Sequence, residues 1–282
     1  ERSIEGILAL DSDSRGGSAL DARNRVRAAL EHLGLWTPEF VYKKVDSVLR
    51  GHVLTELEVF LAETPHRRVI LVPANPSLGR TIRNGQYYIH GRPVNETDFR
   101  NDPSYPRHSA DLLEMLGASS TIPVRVCRAH ETLPERGLIV GEAESSADLR
   151  TWATRLDATT RAAGGAEFFA AIREEKGHPR CSVEQSIDQA RRFPQVFLCG
   201  SPSESTVAFL HHSRRRGLPV SSMPSGLVQT DSAHDVTSQR WLSQIIQAVD
   251  GCRQSVVAID CQAILGPSVA PRLTDRLMDV ME

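Results

Sequence analysis

Short apolar runs alternate with stretches of helical periodicity along most of the chain. Consecutive apolar residues predict buried strands, and apolar residues repeated every three to four positions predict amphipathic helices. The first half has predicted strands at 7–10, 40–42, 69–72, 124–126 and 138–140, and predicted helices at 20–33, 53–61, 110–116, 147–156 and 166–173. This alternation favours an α/β fold, with a mostly parallel sheet flanked by helices.

Residues 75–106 interrupt this pattern, because they are rich in Gly, Pro, Asn and Asp. Within them, 87–89 and 93–94 flank Gly91, which predicts a short hairpin. A loop this long inside a compact domain is usually functional or disordered. We therefore expect a long insertion that contains a hairpin.

A second region of alternating elements follows a charged stretch at 174–179. Its predicted elements are strands at 196–198, 220 and 256–259 and helices at 205–215, 238–249 and 272–281. A chain of 282 residues exceeds the roughly 100–200 residues of a typical single domain. We predict a first domain at 1–177, a linker at 178–194 and a second, incomplete α/β domain at 195–282.

Composition narrows the classes of partner. A net charge of -2 and a pI near 6.6 do not favour a nucleic-acid binder or an anionic-membrane binder. No apolar run approaches 18 residues and no signal peptide is recognisable, so we expect no membrane partner. The five cysteines lack a C-x-x-C pair and the ten histidines are scattered, so we expect no metal site and a reducing, cytoplasmic location.

The densest polar cluster, residues 43–52, follows the predicted strand at 40–42. Because ligands bind outside the carboxyl ends of strands in open α/β sheets, Lys44, Asp46, Ser47 and Arg50 are candidate site residues. An arginine there can hold a carboxylate in a bidentate fork. The alternative is a helix cap made by Ser47 or Asp46, with the lysines exposed. Spacing alone leaves both interpretations open.

Two other clusters combine charged side chains with small residues. Asp13, Ser14 and Arg15 follow the first predicted strand, and a second carboxylate lies two residues before Asp13. Such a pair can orient hydroxyls or hold a metal, although an acidic helix cap is the commoner arrangement. Gly79 and Arg80 lie in the insertion, where they suit an anion, although loop arginines are mostly solvated.

Together the clusters resemble the motifs of the four-carbon acid sugar kinases, a family that includes threonate and erythronate kinases. The segment Lys44-x-Asp46-Ser47-x-Leu49-Arg50-Gly51 is similar to that family's K-x-D-S-T-L-R-G motif. Order and spacing agree over roughly residues 7–215. Further matching segments are Asp13-Ser14-Arg15, Pro73-Ala74-x-Pro76-x-x-Gly79-Arg80-Thr81, His90-Gly91-x-Pro93-Val94, Glu96-Thr97-x-Phe99 and Asp102-Pro103.

The resemblance implies a two-domain cytoplasmic kinase that transfers a phosphoryl group from ATP, with Mg²⁺, to a four-carbon sugar acid. Its partners would be the sugar acid and the nucleotide, and a homo-oligomer is compatible with it. The implied catalytic residues are Lys44, Asp46 and Asp13, and the implied substrate-binding residues are Ser14, Arg15, Ser47, Arg50, Gly79 and Arg80. The implied nucleotide-binding residues are Gly200, Ser201 and Ser203, which resemble an S-G-S-x-S turn.

Several positions depart from the family pattern. Val48 stands where the family has Thr, His52 where it has Asn, and Cys199 where it has Ser. Neither the family's A-D-D-x-T-G element nor its G-G-x-T-A phosphate loop occurs in the sequence, so we expect an incomplete chain. The alternative functions are a kinase homologue that binds sugar acids without catalysis and an effector protein on the same scaffold.

Overall fold

The computed structural model describes residues 6–36, 38–63, 65–119, 121–178, 194–201, 203–224, 227 and 236–259. The chain divides into two compact units: Glu1–Arg100 with Tyr105–Arg180 (unit 1), and Asn101–Ser104 with Cys181–Glu282 (unit 2). The helix predicted at 272–281 and most of the linker predicted at 178–194 lie outside the described residues. Across the described ranges, no helix combines the length and the hydropathy that crossing a bilayer requires.

Unit 1 alternates strands and helices around a parallel sheet. Its helices are α1 (Ala19–Gly34), α2 (Val53–Ala62), α3 (Leu112–Leu116), α4 (Ser146–Thr154) and α5 (Ala166–Glu175). Its strands are β1 (Tyr42–Lys44), β2 (Arg68–Val72), β3 (Arg80–Arg83), β4 (Gln86–Ile89), β5 (Arg92–Pro93), β6 (Val124–Cys127), β7 (Gly137–Gly141) and β8 (Thr160–Gly164). Five of them form a sheet in the order β1-β8-β2-β7-β6, and every neighbouring pair is parallel. The predicted fold class is confirmed.

Local sequence explains why these elements form. Every residue of β7 and all but the first of β2 are buried, as expected for strands covered on both faces. Ser18 and Ser145 each begin a helix with a capping box. The serine hydroxyl accepts the backbone N–H of an aspartate three residues later, and the carboxylate of that aspartate accepts the backbone N–H of the serine. The core packs around Phe60, Trp152 and Phe168, which are each at most 1% exposed.

Two details of the sheet differ from expectation. The strand predicted at 7–10 is wrong, because these residues pair with no described strand and Ile7 is 60% exposed. Conversely, β8 was not predicted, although it lies between β1 and β2. Alanine and glycine dominate β8, and neither has the β-branched or aromatic side chain that is typical of strands.

The insertion forms a three-stranded antiparallel meander of β3, β4 and β5, so the predicted hairpin is confirmed. The turn Asn84-Gly85 has φ values of 49° and 72°, and the turn His90-Gly91 has φ values of 49° and 79°. Positive φ at both central residues defines the type I′ turn, which matches the twist of a hairpin. Arg80, Ile82 and Tyr87 share one face of the meander, because they alternate with residues of the other face.

Unit 2 contains a smaller parallel sheet. Its elements are β9 (Gln195–Cys199), α6 (Glu204–Arg215), β10 (Val220–Ser222), α7 (Val236–Gly251) and β11 (Gln254–Ala258). The strand order is β10-β11-β9, with both pairs parallel. Trp241, Ile245 and Val257 are buried between α7 and this sheet.

Candidate functional site

The candidate site of unit 1 begins at the carboxyl ends of β1, β8 and β2, which are adjacent in the sheet. The backbone N–H of Val45 donates to the carbonyl of Gly164 at 3.0 Å, and the N–H of Gly165 donates to that of Val72 at 3.0 Å. A Cβ on Gly164 would lie 2.2 Å from the Val72 carbonyl oxygen, so only glycine permits this approach. The loops after these three strands therefore start side by side.

Asp46 organises the turn that follows β1. Its Oδ2 accepts the backbone N–H groups of Val48 and Arg50, both at 3.1 Å, and the Nε of Arg50 at 3.1 Å. Its Oδ1 accepts Nη2 of Arg50 at 2.8 Å. Helix α2 begins only at Val53, and His52 precedes it without a side-chain cap bond. The alternative that Ser47 or Asp46 caps α2 is therefore wrong, because the Asp46 carboxylate orders the turn and binds Arg50 instead.

These bonds keep Asp46 ionised. Burial raises the pKa of its carboxyl group, but hydrogen bonds and the positive charge of Arg50, together with the backbone donors, outweigh burial. The pKa of Asp46 therefore lies below its ordinary value of 3.8. At neutral pH the site holds a fixed negative charge to which arginines are drawn.

Three arginines from three separate segments meet at this turn. Nη1 of Arg15, from the segment before α1, lies 3.8 Å from Oδ1 of Asp46. Arg50 forms the closer ion pair with the same oxygen. Nη1 of Arg80, the first residue of β3, donates to the hydroxyl of the buried Ser47. The predicted residues Arg15, Asp46, Ser47, Arg50 and Arg80 thus lie together.

Lys44 adds a fourth cation. Its ammonium donates to the backbone carbonyl of Val45 at 2.6 Å. Although the residue as a whole is exposed, partial burial of the ammonium lowers the pKa of Lys44. The charge of Asp46 opposes this shift, whereas those of Lys43 and Arg80 reinforce it. Lys44 is therefore within electrostatic reach of the turn.

Two other predicted residues have different surroundings. The carboxylate of Asp13 is 83% exposed and pairs with Nη1 of Arg25 at 2.7 Å. The hydroxyl of Ser14 is buried and donates to Oε1 of Glu56 at 2.7 Å, inside a network that includes Lys43. Neither contacts the Asp46 turn in any bond between described residues.

Gly79 shapes the chain immediately before Arg80. Its φ is +64°, and a Cβ there would lie 2.3 Å from Nδ1 of His90. Its carbonyl accepts the backbone N–H of His90 at 2.7 Å, which closes the end of the meander. Gly79 therefore places Arg80 through backbone geometry.

Phe99 is the site residue that sequence reasoning missed. Its ring centroid lies 5.4 Å from Cζ of Arg50 and 5.8 Å from Cζ of Arg80, within cation–π range. The available signal was its place in the segment Glu96-Thr97-x-Phe99, within an insertion that was expected to be functional. An aromatic ring in a loop gave no indication of its neighbours.

The predicted nucleotide residues of unit 2 follow β9. Gly200 and Ser201 are exposed at the carboxyl end of this strand, and Ser203 caps α6 by accepting the Thr206 N–H at 3.3 Å. Such a helix start presents N–H donors and hydroxyls, the groups that suit a phosphate. A cavity of about 390 Å³ in the same unit lies at the amino-terminal ends of β9 and β11, where Gln195 and Gln254 line it. It contains none of the three predicted residues.

The charge balance of the Asp46 turn defines what can bind there. Lys44, Arg15, Arg50 and Arg80 bring four positive charges, and Asp46 brings one negative charge. Arg15 is 59% exposed, and its guanidinium makes no hydrogen bond with the described part of the chain. An arginine in this state can grip a carboxylate. The arrangement therefore suits a small anion that also carries hydroxyl groups.

Known proteins resemble this chain in sequence and in fold. Residues 2–172 match the model of a family described as "Sugar-binding N-terminal domain". A D-threonate kinase of Salmonella typhimurium is 33% identical over 119 residues, and one of Bordetella bronchiseptica is 37% identical over 114 residues. These matches cover 42% and 40% of the chain, but only 28% of each relative.

One solved structure supports the same fold. A crystal structure of a Salmonella typhimurium protein superposes with a TM-score of 0.65 at 17% sequence identity. The match covers 95% of this chain and 69% of that protein. At this identity the likeness concerns the fold alone.

Proposed function

The chain belongs to the four-carbon acid sugar kinase family, and from this premise we propose that unit 1 binds a four-carbon sugar acid. We further propose that the complete protein phosphorylates this acid with ATP. D-Threonate and D-erythronate are the acids that we expect to bind, because kinases for these acids are among the relatives.

The observation that carries the proposal is the convergence of Arg15, Arg50 and Arg80 on the Asp46–Ser47 turn. A sugar acid has one carboxylate and several hydroxyls, so it needs cationic donors beside polar acceptors. In this proposal Arg15 and Arg80 hold the carboxylate, because their guanidinium groups are less fully bonded than that of Arg50. Lys44 adds positive charge from the end of β1.

Asp46 is the better placed of the two predicted catalytic carboxylates. It lies among the arginines, whereas Asp13 is paired with Arg25 in an exposed position. A carboxyl group with a lowered pKa is a weak base, so Asp46 would orient the reacting hydroxyl by accepting its hydrogen bond. Asp13 would have to leave Arg25 before it could act on the substrate.

For the nucleotide, Gly200, Ser201 and Ser203 are the residues that we propose to contact phosphate. Their position at the start of α6 fits an anion, because N–H groups and hydroxyls meet there. ATP would supply the phosphoryl group, and Mg²⁺ is usually held in such sites by phosphates with one or two carboxylates. No cluster of three or more His, Cys, Asp or Glu side chains occurs among the residues described, so the phosphates would be its main ligands.

Release of ADP from ATP in the presence of D-threonate or D-erythronate tests the proposal. We expect the complete protein to turn over at least one of the two acids, and not to turn over the uncharged sugar alcohol threitol. Calorimetric binding of the same acids without ATP tests the unit 1 site independently. A folded protein that neither binds nor phosphorylates either acid would contradict the proposal.

A further inference from the structure

We propose that Phe99 is a positioning residue that holds the guanidinium groups of Arg50 and Arg80 ready for the anion. The inference rests on the proposed function, because it concerns the same site. It adds a residue that neither charge nor hydrogen-bonding capacity would single out, since a phenylalanine ring has no polar group.

The ring is placed between two segments that are remote in sequence. Phe99 lies in the short 3₁₀ helix Asp98–Asn101 and is half-buried. Arg50 comes from the turn after β1 and Arg80 from the start of β3, yet both guanidinium carbons lie within 6 Å of the ring centroid. The negative face of an aromatic ring attracts cations at this range, and arginine is the commonest partner.

This attraction matters because the two guanidinium groups repel each other. Arg50 has the carboxylate of Asp46 to offset its charge, whereas Arg80 donates to the neutral hydroxyl of Ser47. A long arginine side chain also has many rotamers, and ordering them on binding weakens affinity. A ring that holds Arg80 before the ligand arrives removes part of this loss.

Phe99 is itself anchored to the turn that carries Arg50. Its backbone carbonyl accepts the backbone N–H of Arg107 at 2.8 Å. The buried guanidinium of Arg107 donates to the carbonyl of Leu49, the residue before Arg50, and to that of Met115 at 3.2 Å. The buried Arg107 therefore fixes both the segment that carries Phe99 and the turn that carries Arg50.

Calorimetric titration with D-threonate and with D-erythronate tests the inference on Phe99→Leu, Phe99→Tyr and a protein with pentafluorophenylalanine at position 99. Fluorination preserves the shape of the ring and removes its negative face. We expect affinity to fall about 10-fold in Phe99→Leu and in the fluorinated protein, and to stay within about 2-fold in Phe99→Tyr.

Tyr88→Leu is the matched control. Tyr88 lies in the same meander and carries Arg83 over its ring at 4.6 Å, but on the face away from Arg80. We expect its affinity for the acid to stay within about 2-fold of the parent, because only the cation–π contact at the site should matter.

The outcomes separate the two proposals. A parent protein that binds neither acid overturns the proposed function and this inference with it. A parent that binds, with the leucine and fluorinated proteins binding equally well, overturns the inference alone. Should Phe99→Leu fail to fold, the fluorinated protein decides, because its ring fills the same volume.

Discussion

The two units each place polar residues after the carboxyl end of a parallel strand, but they do so with different chemistry. In unit 1 the turn after β1 holds a buried serine, a carboxylate and arginines from three segments. In unit 2 the turn after β9 offers Gly200 and the hydroxyls of Ser201 and Ser203, with α6 starting beside them. The first turn is built from charged side chains, and the second from hydroxyls and backbone donors.

This difference suggests a division of ligands. A sugar acid is small and has a single charge, so recognising it requires cationic side chains at fixed positions. A nucleotide has several phosphate oxygens, which a helix start can bind through backbone N–H groups. Four substitutions test this division, and they are arranged here from the largest expected effect to the smallest.

Replacing Asp46 should disrupt the unit 1 site most. Asp46→Ala removes the acceptor of two backbone N–H groups and the carboxylate that pairs with both Arg15 and Arg50. We expect unfolding free energy to fall by about 2–3 kcal/mol and D-threonate affinity to fall at least about 30-fold. Urea unfolding and calorimetry measure the two quantities.

Asp148→Ala is the control for this prediction. Asp148 also accepts two backbone N–H groups, those of Glu144 and Ser145, but at the start of α4. Its loss should reduce the unfolding free energy by about 1 kcal/mol through the missing cap and leave affinity unchanged. Equal losses of affinity in the two variants would show that Asp46 has no special part in binding.

Arg80→Lys tests whether unit 1 needs a guanidinium or only a positive charge. Lysine keeps the charge but loses the planar fork, so we expect D-threonate to bind about 10-fold more weakly. Arg83→Lys is the matched control, because Arg83 lies on the opposite face of the same strand. If the Arg80→Lys protein bound D-threonate as tightly as the parent, the site would need only a positive charge at position 80.

Sequence patterns predicted most of the architecture of both units. The amphipathic stretch at 20–33 corresponds to α1, and the apolar run at 69–72 corresponds to β2. Both were predictable because burial on one or both faces determines the spacing of apolar residues in the sequence. The strand prediction for 7–10 was wrong, because a strand also needs a neighbouring strand to pair with. β8 was missed since its Ala and Gly residues pack closely but have low strand propensity.

The candidate site was predictable as a set of residues and not as an arrangement. The motif resemblance singled out Arg15, Asp46 and Arg80, which the fold brings together from distant positions. It did not indicate that Asp13 pairs with Arg25 or that Phe99 lies beside two arginines. Such contacts depend on tertiary packing, which the order of motifs along a chain does not encode.

In unit 2, Ser201→Ala should weaken nucleotide binding without changing the site of unit 1. The hydroxyl is exposed just after β9 and accepts the Ser203 backbone N–H at 3.3 Å. In the proposed function this hydroxyl donates to a phosphate oxygen, and the substitution removes that donor. We expect the Kd for MgATP to rise about 5-fold, with D-threonate affinity unchanged. Ser243→Ala, on the exposed side of α7, is the control.

The smallest expected effect is a pH dependence of sugar-acid binding through Lys44. Partial burial, reinforced by Lys43 and Arg80, lowers the pKa of Lys44 below the ordinary 10.5. As pH rises, this ammonium loses its proton earlier than an ordinary lysine, and the attraction for the anion weakens. D-Threonate affinity should therefore fall by a few-fold on the alkaline side, beginning below pH 10.5. Arginine stays protonated at these pH values, so Lys44→Arg should flatten the part of the profile below pH 10.5, measured by calorimetry. If the parent and the Lys44→Arg protein had the same dependence of affinity on pH, the titrating group would not be Lys44. The positive charge that attracts the anion in unit 1 would then come from the arginines.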